Sequence, residues 1–340
     1  MNKTKNGNAH KYNEEQLTLS ELQLLTELEN DARQPLSQLA KTLNISQQLL
    51  SYRLQSLQKK GILYGFYTMI NFTMFGYTRY RVMARLSNFS QKKFNAIISY
   101  LSDHPNVQWI VECGGRWDLL FNFMAKNIIQ LDQFLREIKN KFPEQIQNYG
   151  ILTVVETIEL GRAYFTKKTR ESQVLSYFGR QYGPIKVDQT DLKILDLISE
   201  NARMNSVEIA DKVEVTPNTV ILRIKNMKKK GLIHAFRPLI HLENTSYSCY
   251  KAPIKFQNIT EAREKEMVNY LKKKVNVIAI VKLIGEWDFE VEFEVNSKQA
   301  MIDLTRNFRD KFKDVIRDFE LIPLYHEYRY NFFPRDMLDD

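Results

Sequence analysis

A chain of 340 residues with 44% hydrophobic content is too apolar for global disorder and long enough for roughly two to four compact domains. Its net charge of +9 at pH 7 favours a polyanionic partner, which is a statement about association and not about fold. Cys113 and Cys249, the two cysteines, are too few and too far apart for a disulfide framework or a zinc cluster, so a reducing cytoplasm is the expected setting and packing their expected role.

The opening MNKTKNGNAHKYN is polar, lacks the apolar segment of a signal peptide and reads as a tail over residues 1–14. Leu22, Leu25 and Leu28 then mark one face of a helix with Ser20 as its expected N-cap. Leu36, Leu39, Ala40 and Leu43 mark a second, and Ser46 caps a third that runs to Lys60 and stops at Gly61. Three such helices predict a helix-turn-helix domain over residues 15–66.

Strand and helix signals alternate after that: Arg79 to Leu86, Lys92 to Leu101, Val107 to Cys113, Trp117 to Ala125, Ile128 to Phe142 and Ile151 to Leu160. The order β-α-β-β-α-β is that of a ferredoxin-like domain, expected over residues 67–163, with Gly114, Gly115 and Arg116 as the turn between its middle strands. None of these runs approaches the roughly 20 apolar residues of a spanning helix, so no membrane partner is expected. Residues 164–186, with Lys167, Lys168, Arg170, Arg180, Gly179, Gly183 and Pro184, read as a basic linker.

The chain then repeats itself. Lys59-Lys60-Gly61-Ile62 matches Lys229-Lys230-Gly231-Leu232 at an offset of 170. The same offset pairs Ala32-Arg33 with Ala202-Arg203, Arg53 with Arg223, Gly115 with Gly285, and Trp117-Asp118 with Trp287-Asp288, without a gap. A period this long, present twice, is a duplicated two-domain unit and not a solenoid. A second helix-turn-helix is expected over 187–236, with Thr216 capping and Pro217 opening its third helix, a second ferredoxin-like domain over 237–333, and a tail over 334–340. The expected fold class is α+β: two copies of a winged-helix-like trihelix, each followed by a βαββαβ domain.

Together Asp191-Leu192-Lys193-Ile194-Leu195, Asn201-Ala202-Arg203, Val220-x-x-Arg223-Ile224, Gly231-Leu232-Ile233 and the Gly115-Arg116-Trp117-Asp118 and Gly285-Glu286-Trp287-Asp288 hairpins resemble the Lrp/AsnC family of prokaryotic regulators. The resemblance covers nearly the whole chain. It implies transcription regulation through double-stranded DNA, under control of a small-molecule effector such as an amino acid held by the ferredoxin-like domains. The tandem fusion departs from the usual single-copy subunit.

Recognition helices read base edges with short polar side chains near their N-termini and hold phosphates with basic ones. In copy one Gln47, Gln48, Ser51 and Tyr52 suit the first task, and Arg53, Lys59 and Lys60 the second. In copy two Asn218 and Thr219 are the base-reading candidates and Arg223, Lys225 and Lys228 the clamps. Ile221 and Leu222 replace Ser51 and Tyr52, which suggests a packing face. The bland alternative for both helices is a solvated basic surface.

For the effector, the resemblance points to Gly114, Gly115, Arg116 and Asp118, with Gly285, Glu286 and Asp288 as counterparts. Glycine-rich turns also offer backbone amides to small anions, although a plain tight hairpin is the simpler reading. Arg116 is the expected carboxylate partner, and Glu286 at the equivalent position would repel it, so the two sites are expected to differ. Trp117 and Trp287 are expected in the core or at an interface, with ligand stacking the alternative. The two ferredoxin-like domains are expected to pack sheet against sheet as an intrachain pseudo-dimer, open to further self-association.

Two rival readings remain. Siroheme decarboxylases resemble this family and also occur as fused tandem copies, typically with histidines and arginines beside the central strands. Here QWIVE and IAIVK carry no histidine, and no metal-spaced ligand set or nucleophile-base arrangement is visible, so neither an enzyme nor a cofactor is expected. The other rival is an interaction scaffold with degenerate helix-turn-helix units.

Overall fold

The computed structural model describes residues 17–87, 90–166, 176–179 and 185–338. The tail over 1–14, most of the basic linker and the last two residues of the chain lie outside them.

The first trihelix is α1 (Leu19–Asn30), α2 (Leu36–Thr42) and α3 (Gln47–Lys59). Its first cap is Thr18 and not Ser20: the Thr18 hydroxyl accepts from Glu21 N while the Glu21 side chain accepts from Thr18 N, a capping box that satisfies two otherwise bare amides. Ser46 caps α3 as expected, and Gly61 follows at a φ of 66°, the left-handed conformation that ends a helix. Then come β1 (Leu63–Ile70), β2 (Thr78–Leu86), α4 (Gln91–Asp103), β3 (Val107–Cys113), β4 (Leu119–Ala125), α5 (Ile128–Lys141), β5 (Ile146–Glu159) and a short β6 (Ser176–Phe178). Copy two repeats the plan with α6 (Gln189–Glu200), α7 (Ser206–Val213), α8 (Pro217–Lys229), β7 (Ile233–Ile240), β8 (Ser248–Phe256), α9 (Glu261–Lys272), β9 (Val277–Ile284), β10 (Phe289–Val295) and α10 (Lys298–Lys311). Its last strand is broken in two, β11 (Ile316–Phe319) and β12 (Ile322–Tyr330).

The ferredoxin-like sheets do not pack face against face as two separate layers. They join edge to edge on both sides, in the order β10-β9-β5-β2-β4-β3-β12-β8, and β8 returns to β10 to close an eight-stranded ring. The long last strand of each copy makes the closure. β5 pairs with β2 of its own copy through Leu86↔Ile146 to Arg79↔Val154, then continues along β9 of the other copy to Glu159↔Ala279. On the opposite side β11 and β12 pair with β8, and β12 runs on along β3. Closing the ring removes the bare strand edges that two separate domains would present.

Period-two alternation sorts the side chains of this barrel. Tyr80, Val82 and Ala84 of β2 and Phe121 and Phe123 of β4 point outward under α4 and α5, while Phe289, Val291 and Phe293 of β10 do the same under α9 and α10. One end of the interior is apolar, filled by Met83, Trp109, Trp117, Leu120, Trp287 and Ile322. Trp117 and Trp287 are therefore core residues, as expected.

The strands after the trihelices pair with each other: β1 and β7 form a two-stranded antiparallel ribbon from Leu63↔Ile240 to Ile70↔Ile233. Each trihelix docks on the other copy's wing. Ala32 N donates to Phe236 O and Ala202 N to Phe66 O, both at 3.0 Å. Arg33 donates to Ala202 O and Arg203 to Ala32 O, both at 2.5 Å, with the guanidinium groups over Phe236 and Phe66. The Ala-Arg pairs picked out by the repeat are thus a reciprocal clasp that fixes one helix-turn-helix relative to the other.

Candidate DNA interface and effector site

Of the α3 candidates, Gln47, Gln48, Tyr52 and Lys59 are exposed, with Ser51 and Arg53 half-buried beside them. The inward face is Leu50 and Leu57, both fully buried, so the amphipathic split of the helix aims the polar set outward. Ser51 donates its hydroxyl to Gln47 O at 2.9 Å and keeps its lone pairs for another donor. On α8, Asn218 and Lys225 are exposed and Thr219 half-buried. Ile221 and Leu222, expected against a neighbouring helix, are instead 51% and 59% exposed.

Three of the expected phosphate clamps are already engaged. Lys60 pairs with Glu21 at 3.1 Å, and Lys228 lies 3.5 Å from Asp31 of the other copy's trihelix. Arg223 is held by Asp188 at 2.7 Å and Asp191 at 2.9 Å. Arg53 makes no ion pair among the described residues, so the two equivalent arginines differ in what they can offer to a phosphate.

The effector turns are packed more tightly than a nest requires. Gly114 N donates to Pro323 O at 3.0 Å, and a Cβ at Gly114 would stand 2.1 Å from the Tyr325 hydroxyl. Gly115 and Gly285 take φ of 94° and 143°; a Cβ at Gly285 would also meet the Leu152 side chain at 2.7 Å. The carboxylates are tied to backbone: Asp118 accepts from Leu86 N, Asp288 from Phe256 N and Lys255, each at 2.8 Å. Arg116 and Glu286 do not occupy independent sites, as the sequence reading had them. They meet in a direct ion pair. The residue expected to repel a ligand carboxylate neutralises the arginine expected to bind it.

Charge in the ferredoxin-like domains lies instead inside the barrel, a feature hidden from sequence reading because the alternating residues of β10 look like any half-exposed strand. Glu290, Glu292 and Glu294 of β10 face inward against Arg79 and Arg81 of β2 and Lys251 of β8. Both carboxylate oxygens of Glu290 accept from Arg81 Nη1 at 2.8 Å, and Oε1 also accepts from Lys251 at 2.9 Å. Burial alone would raise the Glu290 pKa, but the two cations outweigh it and hold the group at about 2. Lys251 also pairs with Glu292. At the end nearest the trihelices Arg162 bridges Glu29 of α1 and Glu294, both at 2.9 Å, and Tyr164 donates to Glu294 at 2.5 Å.

Glu29, Arg79, Arg81, Arg162, Lys251 and Glu292 line a cavity of about 100 Å³ under the wing ribbon. Within it, burial and then the neighbouring Glu292 charge push Glu159 up to about 7 and Glu327 up to about 8. Glu327 nonetheless accepts from Trp109 Nε1 at 2.9 Å. Cys113 is buried and donates to Trp117 O, and burial pushes its thiol up to about 12, so it is inert packing.

A winged helix-turn-helix DNA-binding family model matches residues 17–64 and 187–234, the two trihelices with the first residues of their wings. The HTH-type transcriptional regulator Ptr1 of Methanocaldococcus jannaschii is 29% identical over 102 residues, covering 30% of this chain and 68% of that protein. The leucine-responsive regulatory protein of Haemophilus influenzae is 30% identical over 57 residues, 17% of this chain and 34% of that one. The crystal structure of the siroheme decarboxylase NirDL superposes with a TM-score of 0.59 over 94% of this chain and 97% of its own, at 12% identity, a likeness of fold. The protein is of the winged helix-turn-helix class, with two such units in one polypeptide. Its relatives among known proteins are HTH-type transcriptional regulators, the leucine-responsive regulatory protein among them, each matched over part of this chain. Among the described residues no helix is long and apolar enough to cross a membrane.

Proposed function

We propose that the chain is a cytoplasmic, sequence-specific DNA-binding transcription regulator that reads two half-sites from one polypeptide. The observation that carries this is the clasp: two winged trihelices with outward-facing third helices are locked to each other by Ala32, Arg33, Ala202 and Arg203. Gln47, Gln48, Ser51 and Tyr52 contact base edges; Arg53 and Lys59 hold phosphate. On the second helix Asn218, Thr219 and Lys225 do the corresponding work, beside an apolar pair, Ile221 and Leu222, suited to thymine methyl groups. Arg223, Lys60 and Lys228 serve mainly to brace the trihelices.

The effector is a small zwitterionic or anionic molecule of the amino-acid class, acting on the ferredoxin-like barrel. A ligand carboxylate would have to displace Glu286 from Arg116, or enter the charged interior where Arg79 and Arg237 keep buried nitrogens without partners.

The test is binding of the purified chain to paired half-sites at varied separation. Fixed geometry predicts an affinity maximum recurring once per helical turn, about 10–10.5 base pairs. Affinity independent of separation sinks the proposal. A second reading is siroheme decarboxylation, the activity in the name of NirDL, whose fold this chain shares along its length, and release of carbon dioxide from siroheme is the direct assay.

A further inference from the structure

The chain brings His241, Glu243 and His326 together, although no sequence spacing announces them. His241 and Glu243 follow the end of β7, where the wing ribbon turns into the barrel. His326 comes from β12, on the strand pair that closes the ring. We propose that these three side chains bind a divalent first-row transition-metal ion.

One donor atom from each lies within 4.8 Å of the others. His326 Nδ1 is 2.6 Å from Glu243 Oε2, and His241 Nδ1 is 3.6 Å from Glu243 Oε1. The donors of a tetrahedral ion with bonds of about 2.1 Å stand about 3.4 Å apart, so closing the site takes side-chain movements on the order of 1 Å.

The second observation is an orphan. The His241 side chain is 8% exposed, yet its Nε2 is buried with no hydrogen-bond partner. Leaving such a nitrogen bare costs roughly 1–3 kcal/mol, a cost removed where the ion is taken through Nε2 and kept where it is taken through Nδ1, the nitrogen 3.6 Å from Glu243. The ring is held in place by stacking on Tyr64, with centroids 4.7 Å apart and planes 5° from parallel.

Donor chemistry narrows the ion. Two imidazoles and one carboxylate suit Zn²⁺, Co²⁺ or Ni²⁺ better than the hard cations Ca²⁺ and Mg²⁺, which want all-oxygen sites. Three protein ligands leave a further position open, and the cluster borders a cavity of about 410 Å³ with Tyr247, Cys249 and Tyr325 on its walls. A water or a ligand atom can complete the sphere there.

The duplication supplies an internal comparison. At the offset of 170, the counterparts of His241, Glu243 and His326 are Asn71, Thr73 and Glu156, which lack both imidazoles. The site is a property of copy two alone. Because His241 N also donates to Ile62 O at 2.9 Å, just beyond α3, a bound ion would tie β12 to the base of the first recognition helix. That regulatory consequence rests on the DNA-binding reading; the metal site itself does not.

The full-length chain, stripped with chelator, is titrated with Co²⁺ and followed by visible ligand-field absorption, then competed with Zn²⁺. One equivalent should bind, with Zn²⁺ displacing it and raising the thermal midpoint. His326→Ala and Glu243→Gln should each weaken binding at least tenfold and abolish the Zn²⁺-dependent rise, with Glu156→Gln unchanged. His326 is the lead variant because it is 40% exposed, and its unaltered circular dichroism will show that the fold survives. No Co²⁺ uptake at micromolar protein, or equal uptake by His326→Ala, overturns the proposal. Loss of half-site spacing dependence with metal binding intact would sink the DNA reading and leave this site standing.

Discussion

The two joints between trihelix and barrel occupy equivalent places and are built from opposite materials. Under the first trihelix, Glu29 of α1, Arg162 after β5 and Glu294 of β10 from the other copy form a buried ionic bridge. At the positions 170 residues away, the joint under the second trihelix has Ser199 of α6, Phe332 after β12 and Met124 of β4, all fully buried, with Phe332 and Met124 in an apolar cluster with Phe72, Phe178 and Ile198. Two separate identical subunits would be forced to repeat one solution at both joints. Fusion lifts that constraint, and the barrel interior shows the same freedom: copy one supplies Arg79 and Arg81 on β2, copy two supplies three glutamates on β10. An apolar joint is insensitive to pH and salt, whereas an ionic joint can be loosened by whatever competes for its charges.

The comparison breaks first at Arg162. Removing it leaves Glu29 and Glu294 facing each other without a cation, and breaking a buried pair by deleting one partner typically costs about 3–5 kcal/mol. Arg162→Ala should lower the urea midpoint accordingly. Importing the other joint whole, as Glu29→Ser, Arg162→Phe and Glu294→Met, should recover most of that loss, since an apolar replacement of similar volume leaves no charge stranded. An Arg162→Ala variant within about 1 kcal/mol of the parent would show that the bridge is solvated and that the contrast has no energetic content.

Acidic groups inside the ring sharpen the comparison through pH. A glutamate in the unfolded chain ionises near about 4.3. Glu290, held at about 2 by Arg81 and Lys251, therefore contributes stability that is present above about pH 4.3 and disappears as pH falls towards 2. Glu327 has the opposite sign: raised to about 8 by burial and by Glu292, it keeps a proton that the unfolded chain has released, so stability declines as pH rises from about 4.3 to 8. Glu159, at about 7, adds to that slope. Glu327→Gln keeps an acceptor for Trp109 Nε1 and should flatten the decline, read as thermal midpoint against pH. A variant with the parent's slope would mean that Glu327 ionises normally.

Much of this architecture was legible in the residues. The offset of 170, the helix caps at Ser46 and Thr216 and the β-α-β-β-α-β order lie within local windows where period and capping chemistry decide the outcome. Ring closure was not legible, because which sheet edge meets which depends on β5 and β12 running past their own sheets. The wing strands β1 and β7 were missed as strands for a related reason: each is completed by a partner 170 residues away. The candidate site failed in the same way. Arg116 and Glu286 were read as two separate positions, when the pseudo-twofold arrangement brings equivalent residues into contact. Likewise His241, Glu243 and His326 have no common spacing, and only the turn out of β7 beside β12 makes them neighbours.

The smallest effect concerns the paired arginines of the recognition helices. Arg53 and Arg223 are equivalent in sequence, yet Arg223 is bound between Asp188 and Asp191 while Arg53 has no such partner among the described residues. Each phosphate neutralised on duplex DNA contributes about 0.9 to the slope of log affinity against log salt. Arg53→Ala should therefore weaken binding, reduce that slope by about one and leave the preferred sequence unchanged. Arg223→Ala should leave the slope nearly intact, because a guanidinium already neutralised by two carboxylates releases few counterions, and its cost should appear in the stability of the second trihelix instead. Equal slope changes in the two variants would mean that DNA pulls Arg223 away from its aspartates, and that the asymmetry of the free chain is erased on binding.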